Sequence, residues 1–283
     1  EELRELGPVV WMKSLGVWGV FRDEQVREVV SDHKRFGSRG GGGTSNYYFE
    51  KPWRERSVVF ETDQPDHTRA RTIFSRILSP LAVNKLREKI EAEAEQFVAK
   101  AVAMGTFDVI ADLAYPFPLK VLPDAVGLPD EGRENMLIYN SYVRRGRQAN
   151  WQDNWTEEEH REGERISAWV AERCKRESLS KTGFGAQFYA AADAGEISEH
   201  DAANMIRSFL AAGVETTMNG IANAINLLAS NPDQWAVLKK EPGKARAAFD
   251  EGLRIESTSQ FIARNTLDSM VYHGTPMKQY DKI

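Results

Sequence analysis

The sequence has few of the residues from which several kinds of site are built. One cysteine among 283 residues excludes a disulfide framework and a cysteine-rich metal site, and it fits a reducing, cytoplasmic compartment. No run of eighteen apolar residues exists, so no membrane span is expected. The five histidines include no His-Glu-x-x-His pattern of the kind that binds zinc. A net charge of −5 argues against a nucleic-acid-binding surface.

The order of apolar residues predicts a mainly α-helical protein with a small β element near its start. Residues 8–12 and 16–21 are predicted to form a hairpin, and residues 36–65, which contain four consecutive glycines, a long flexible loop. Helices are predicted over residues 66–77, 80–104, 108–126, 130–145, 156–176, 199–230, 232–240 and 243–256.

The helix over 199–230 is the longest and carries an unusual centre. Ser198 is its predicted N-cap, with Asp201 three residues later, and Asn231-Pro232 ends it. Thirty-two residues at a rise of ~1.5 Å give a rod of about 48 Å, enough to cross a domain. Gly213 and Thr216 are poor helix formers at its middle. This combination predicts that another group approaches the backbone at Gly213. It also predicts that a threonine hydroxyl bonds a helix carbonyl and locally opens the backbone hydrogen bonds of the helix.

Two further motifs carry charge at helical spacing. His67 and Arg71 are four residues apart and therefore share a helix face, an arrangement that suits a bound carboxylate or phosphate. A solvated surface helix explains the same pair equally well. Glu251 and Arg254 stand one turn apart, like several surface pairs in this chain, and only their place beyond the long helix distinguishes them.

Taken together and in this order, these motifs resemble the cytochrome P450 family of heme-thiolate monooxygenases. The stretch Asp63–Arg71 is similar to the family's C-helix, Ala212–Thr217 to the oxygen-activation motif of its I-helix, and Glu251–Arg254 to its K-helix. The resemblance implies heme b as cofactor and the P450 fold around a long central I-helix. It implies these roles: His67, Arg71 and Arg264 bind the heme propionates, Gly213 leaves a groove for dioxygen, Glu215 and Thr216 relay protons, and Glu251 and Arg254 are structural.

The family's iron ligand is a cysteine in a Phe-x-x-Gly-x-x-x-Cys-x-Gly loop beyond the K-helix. The chain reaches Ile283 without such a loop, and Cys174 lies in a charged helical stretch and is expected to be structural. The resemblance therefore implies one partial P450 domain over residues 1–283, lacking its start and its C-terminal ligand loop. Such a piece is expected to bind no thiolate-ligated heme and to be inactive alone.

The substrate is expected to be a small aromatic carboxylate that is hydroxylated or O-demethylated. The segment from Arg207 to Gly213 is similar to members that oxidise para-substituted benzoates. The helical period puts Ser208, Ala212 and Glu215 on one face. The resulting expectation is that Arg207 and Ser208 hold the carboxylate, that Ala212 lines the pocket, and that Arg39 and Ser45 of the glycine-rich loop provide a second anchor. The basic stretch over residues 142–147 fits an aromatic pocket poorly.

The resemblance also implies O₂ and a [2Fe-2S] ferredoxin with its reductase as partners, and no nucleic acid or membrane. Arg69, Arg76 and Lys85 are candidate docking cations, although ordinary surface positions explain each one equally well. The alternative is a non-catalytic helical binding or scaffold domain derived from the same fold. A heme-free hydro-lyase or isomerase using Glu215 is a second alternative.

Overall fold

The computed structural model describes residues 2–283, and helices dominate it. The helices are α1 (Glu2–Glu5), α2 (Asp23–Ser31), α3 (Asp66–Ile77), α4 (Pro80–Asn84), α5 (Arg87–Met104), α6 (Pro116–Val126), α7 (Asn135–Arg145), α8 (Trp151–Asn154), α9 (Glu157–Arg173), α10 (Phe184–Asp193), α11 (Glu199–Ser230), α12 (Pro232–Lys240) and α13 (Ala245–Ile255). The antiparallel strand pairs are β1 (Val10–Met12) with β2 (Val17–Gly19), β3 (Phe36–Gly37) with β4 (Asn265–Thr266), and β5 (Met270–Tyr272) with β6 (Thr275–Met277).

Helix α11 is the element on which the others pack. Its predicted bounds are confirmed, because Ser198 and Asp201 bond each other's backbone N–H groups in a capping box and Pro232 begins the next helix. It contacts α6, α7, α9, α10, α12 and α13. Met205, Ile206 and Leu210 are fully buried along it, each worth about 1.5–3 kcal/mol of transfer free energy. The helix is thus held mainly by tertiary packing.

Close contact between α11 and α13 depends on two glycines. A Cβ atom on Gly220 would lie 3.0 Å from the ring of Phe249, and one on Gly252 would lie 3.3 Å from the backbone of Ala224. At these distances an added Cβ would push the Phe249 ring or the Ala224 backbone away by a few tenths of an ångström, so glycine allows the close approach of the two helices. These contacts fix the helix that carries Glu251 against the centre of the fold.

Several predicted elements differ from the observed ones. The helix predicted over 80–104 is divided between α4 and α5, and the one predicted over 108–126 begins with a π-helical turn at Val109–Ala114. Pro116 opens α6 there, because proline lacks the N–H that would continue the preceding helix. The short helix α8 and the buried helix α10 were not predicted, nor were the strand pairs formed by residues 265–277.

The loop over residues 38–65 is packed against the protein, which corrects the expectation of a flexible loop. Tyr47 and Val59 are buried in it. Buried Lys282 donates hydrogen bonds of 2.7 Å to the carbonyl oxygens of Gly40 and Gly41. A Cβ atom on Gly43 would lie 2.2 Å from the carbonyl oxygen of Arg147. The glycine run therefore allows close backbone contact.

Among residues 2–283, the helices are all too short or too polar to cross a lipid bilayer.

Candidate active site

The face of α3 that carries His67 and Arg71 borders an open cleft of about 360 Å³. His67 is half-buried and Arg71 is exposed. Neither side chain has a hydrogen-bond or ion-pair partner among residues 2–283. Two neighbouring cationic or donor groups without a partner are suited to a ligand that carries carboxylates.

Arg264 is brought towards the start of α3 by the pairing of β3 with β4. Its guanidinium is partly buried and donates only to the carbonyl oxygen of Ala263, at 2.9 Å. Burial lowers the pKa of Arg264, and the charge of Asp63 opposes this shift. Asp63 also accepts the backbone N–H of His67 at its carbonyl oxygen, at 2.9 Å. A partly buried guanidinium without a bonded carboxylate is a second position that favours an anionic ligand.

The middle of α11 has one open face. Ala212 and Thr216, one turn apart, are exposed, whereas Val214 between them and Leu210 just before them are fully buried. Thr216 Oγ1 donates to the carbonyl oxygen of Ala212 at 2.7 Å, as predicted for a threonine here. The helix nevertheless stays continuous from Glu199 to Ser230, so this bond does not interrupt the backbone hydrogen bonds of α11.

Gly213 does not face that opening. A Cβ atom on it would lie 3.0 Å from Leu122 Cδ1 of α6. Leu122 is therefore a group that approaches this backbone, and the expectation that Gly213 leaves a groove for dioxygen stays a prediction.

Glu215 forms an ion pair with Arg144 of α7, through Oε1 and Nη1. The carboxylate side chain is 28% exposed and the guanidinium side chain 59% exposed. The ion pair keeps the Glu215 carboxylate close to the protein surface, and Thr216 is the next residue of α11. It also explains one cation of the basic stretch at the end of α7, where Arg145 bonds Glu159.

Glu251 and Arg254 form the ion pair that their spacing predicts. Arg254 Nε and Nη2 donate to the two oxygens of Glu251 at 2.7 and 2.6 Å, and both side chains are more than half exposed. Their structural role stays a prediction.

Ser208 joins α11 to the packed loop by a hydrogen bond with Ser57, a residue that was not predicted to belong to the site. Its Oγ lies 2.7 Å from Oγ of Ser57, and both residues are buried. Ser57 Oγ also accepts the backbone N–H groups of Val59 and Phe60 at 3.2 and 3.1 Å. Since Ser208 precedes Ala212 by one turn, this hydroxyl pair lies beside the end of the open face.

Arg207 is buried against the segment of Glu55 and Arg56. Only 8% exposed, it pairs with the carboxylate of Glu55 at 3.4 Å and donates to the carbonyl oxygens of Glu55 and Arg56 at 3.0 and 3.3 Å. A cavity of about 400 Å³ on its side of α11 also includes Cys174. Nine positions separate Arg207 from Thr216, which is about 900°, or two and a half turns. The two residues therefore point to opposite sides of the helix. Its donors are bonded to the segment that precedes Ser57, and the expectation that Arg207 contacts the substrate carboxylate stays a prediction.

A buried ion pair contacts the backbone of Ser57. Arg54 Nη1 and Nη2 donate to Glu61 at 3.0 and 3.1 Å, and the two side chains are 12% and 5% exposed. Glu61 also accepts the backbone N–H of Ser57 at 2.8 Å. This pair could not be predicted from the sequence, because its members lie seven residues apart in an irregular segment.

Arg39 and Ser45 do not bond the hydroxyl pair, and their expected role as a second anchor stays a prediction. Arg39 is exposed beside Asp66 at the start of α3, 3.4 Å away. Ser45 is 1% exposed and donates to Glu50 at 3.1 Å. Both side chains are bonded within the protein.

The predicted docking cations are partly neutralised. Arg69 donates to the carbonyl oxygen of Glu196 at 2.9 Å, and Arg76 pairs with its carboxylate at 2.9 Å. Lys85 is exposed and has no ion-pair partner among residues 2–283.

Cys174 is 1% exposed, and burial raises the pKa of its thiol to about 12. A protonated thiol inside the core matches the structural role expected for it. Among residues 2–283, no group of three or more His, Cys, Asp or Glu side chains is arranged to hold a metal ion.

Comparison with known proteins was made by family model, by sequence and by fold. No family model matches the chain. It is 41% identical over 287 residues to cytochrome P450 CYP199A2 of Rhodopseudomonas palustris, covering 100% of this chain and 68% of that protein. It is 25% identical over 297 residues to a steroid C26-monooxygenase of Mycolicibacterium smegmatis, again covering 100% of this chain and 68% of the relative.

Solved structures share the fold. Cytochrome P450 CREJ in complex with (4-ethylphenyl) dihydrogen phosphate has a TM-score of 0.84 at 22% identity, over 100% of this chain and 73% of that one. Epothilone D-bound cytochrome P450epoK has a TM-score of 0.84 at 22% identity, over 99% and 72% of the two chains. The expected fold, long central helix included, is confirmed.

Proposed function

The chain belongs to the cytochrome P450 family of heme-dependent monooxygenases, and from this premise we propose that it oxidises small aromatic carboxylates, by hydroxylation or O-demethylation. The family acts on small molecules with O₂ and electrons from a redox partner, and its cofactor is heme. The observation that carries the substrate proposal is the buried hydroxyl pair of Ser57 and Ser208 at the end of the open face of α11.

The residues present suit the carboxylates of a heme. His67 and Arg71 have donors without protein partners, and Arg264 is a partly buried cation without a bonded carboxylate. We assign the two propionates to these three side chains. The exposed surface of Ala212 and Thr216 is the part of the middle of α11 that we assign to contact with the cofactor and substrate. When bound, the heme supplies the iron at which dioxygen is activated.

Glu215 and Thr216 are assigned to proton delivery. Glu215 is reached from solvent beside the more exposed Arg144, so it exchanges protons with water at Oε2, the oxygen not held by Arg144. Thr216 Oγ1 rests on the carbonyl oxygen of Ala212 and faces the open side. If its hydroxyl turned from that carbonyl, Thr216 would hold a donor hydrogen on the open side, and Glu215 would be the acid that supplies protons from solvent.

Ser208 is assigned to the acid end of the substrate. Eight residues separate it from Thr216, which corresponds to about 12 Å along the axis. A para-substituted benzoate lying along this face places its carboxylate at Ser208 and its para group towards Thr216. A hydroxyl hydrogen bond to a carboxylate is charge-assisted, about twice as strong as one between neutral groups. The nearby cations Arg54 and Arg207 are already paired, so the hydroxyl itself provides the recognition.

The test compares 4-methoxybenzoate with its neutral analogue 4-methoxybenzamide on a full-length, heme-containing version of the protein. Ser208→Ala should weaken binding of the benzoate at least about tenfold, or 1.4 kcal/mol, and that of the amide much less. Ser230→Ala, an exposed serine at the end of the same helix, is the matched control. Equal weakening of both compounds by Ser208→Ala would contradict carboxylate recognition at this residue.

We also propose an acidic [2Fe-2S] ferredoxin, served by its reductase, as electron donor. Lys85 is an exposed, unpaired cation in the described chain, and Arg76 shares its charge with Glu196. Docking through such groups is screened by salt, with a Debye length of about 10 Å at 0.1 M. Reduction rates should fall as salt rises and fall further in Lys85→Glu. A rate independent of salt would contradict docking at this surface.

A further inference from the structure

The Ser57 hydroxyl has all of its hydrogen-bonding capacity assigned. A serine hydroxyl has one hydrogen to donate and two lone pairs that accept. The backbone N–H groups of Val59 and Phe60 occupy both lone pairs, at 3.2 and 3.1 Å. In the 2.7 Å contact with Ser208, Ser57 is therefore the donor and Ser208 the acceptor.

The hydrogen of Ser208 is consequently left with one weak acceptor. Within reach is Oδ1 of Asn204, 3.4 Å away, which is longer than an ordinary O–H···O bond of 2.5–3.0 Å. That oxygen already accepts the backbone N–H of Val58 at 3.0 Å. A substrate carboxylate at normal hydrogen-bond distance would accept the Ser208 hydrogen in place of Asn204 Oδ1, because hydrogen bonds to a charged acceptor are shorter and stronger.

Asn204 also fixes the loop that carries Ser57. It is 3% exposed and lies one turn before Ser208 on α11. Its Nδ2 donates to the carbonyl oxygen of Arg56 at 2.8 Å, while its Oδ1 accepts from Val58. The two backbone groups flank Ser57, so one side chain holds the loop on both sides of that serine.

We propose that Asn204 is a positioning residue for anionic substrates: by clamping residues 56–58 it keeps Ser57 donating to Ser208 and leaves the Ser208 hydrogen available to a substrate carboxylate. This inference rests on the function proposed above and names the residue that sets its charge selectivity. Asn204 itself does not touch the substrate. Cooperative polarisation runs from the backbone N–H groups through Ser57 to Ser208 and strengthens the final bond.

Two substitutions separate this role from general support of the fold. Asn204→Ala removes both clamping bonds, so Ser57 loses its fixed position, and the dissociation constant of 4-methoxybenzoate should rise about tenfold. That of 4-methoxybenzamide should change less than about twofold, because a neutral ligand draws less on the polarised hydroxyl. Asn226→Ala, an exposed asparagine on the same helix, is the matched control and should change neither constant.

Asn204→Asp is the second variant, since it preserves shape and the acceptor for Val58. It replaces the donor to Arg56 by an oxygen and puts negative charge one turn from Ser208. Near neutral pH it should weaken benzoate binding more than Asn204→Ala does, with the amide within about twofold of wild type. Circular dichroism confirms that each variant is folded before binding is measured by calorimetry on the full-length, heme-containing protein.

A double-mutant cycle with Ser208→Ala separates the possible failures. If Asn204 acts through Ser208, Asn204→Ala has no further effect on benzoate-to-amide selectivity once Ser208 is alanine. If Ser208→Ala alone leaves that selectivity unchanged, the proposed function fails. If Ser208→Ala abolishes selectivity while both Asn204 variants weaken the two ligands equally, the function stands and the role of Asn204 is overturned.

Discussion

The buried ion pair of Arg54 and Glu61 gives the sharpest stability prediction. Glu61→Leu leaves the Arg54 guanidinium buried without its two bonds, and it also removes the acceptor of the Ser57 backbone N–H. Breaking a buried pair by removing one partner typically costs about 3–5 kcal/mol. Because the two side chains are only 12% and 5% exposed, water cannot replace the lost partner, and we expect a loss in that range.

Removing both charges should cost less than removing one. In Arg54→Met/Glu61→Leu no uncompensated charge stays buried, and apolar replacements of buried pairs are often close to neutral. The Ser57 N–H still lacks its acceptor, which accounts for about 1–3 kcal/mol. Glu91→Leu, in an exposed pair with Arg87, should leave stability unchanged and serves as the control.

The same pair predicts a pH dependence. Burial alone would raise the pKa of Glu61, but the charge of Arg54 and the Ser57 N–H more than offset this, and the net shift is below the ordinary value of 4.5. The Glu61 carboxylate therefore binds a proton more readily in the unfolded chain than in the folded protein. The contribution of Glu61 is present above pH 4.5 and is lost as the pH falls through the folded pKa.

Urea unfolding of the full-length, heme-containing protein, followed by far-UV circular dichroism, measures these free energies. The slope with denaturant should stay the same across the variants, so that midpoints report stability. The difference between wild type and the double variant should shrink below pH 4.5. The reasoning is refuted if Glu61→Leu costs less than about 1 kcal/mol, or if the double variant is less stable than the single one.

Three further outcomes are expected. Gly252→Ala should lower the unfolding free energy by about 1–3 kcal/mol, because its new Cβ meets the backbone of Ala224 at 3.3 Å, whereas Gly243→Ala, where nothing lies within 4 Å, should be neutral; equal effects in urea unfolding would contradict this packing. Cys174 should resist thiol-reactive dyes until the protein unfolds, since its thiol is buried and its pKa is raised to about 12, and rapid labelling of native protein would argue against that burial. Burial lowers the pKa of Lys282 to about 7 from 10.5, so the unfolded chain binds more protons between these values and stability should rise with pH across that window; thermal melts of Lys282→Met should lack this rise, and an identical slope in both proteins would refute it.

The sequence was sufficient where the signal is local. The bounds of α11 follow from Ser198 and from the Asn231-Pro232 stop, since caps and helix terminators act on the backbone beside them. His67 and Arg71 share a face because the helical period alone requires it. The helical spacing likewise predicted the bond between Thr216 and the carbonyl oxygen four residues earlier.

The sequence was insufficient where a partner lies far along the chain. Arg144 is 71 residues from Glu215, and Ser57 is 151 residues from Ser208. The orientation of Arg207 was available from the helical period, which puts it half a turn from Thr216, but its bonding to the loop was not.

By itself, the sequence determined the long helix, the charged pairs on helix faces and, through their order, the family. Only the tertiary structure decided that the glycine-rich loop is packed, that Leu122 fills the space beside Gly213, and that a serine from this loop meets Ser208. The physical reason is that helix formation depends on residues within about four positions of each other. The partner of a buried polar side chain depends instead on which distant segment the whole packed core brings within about 3 Å.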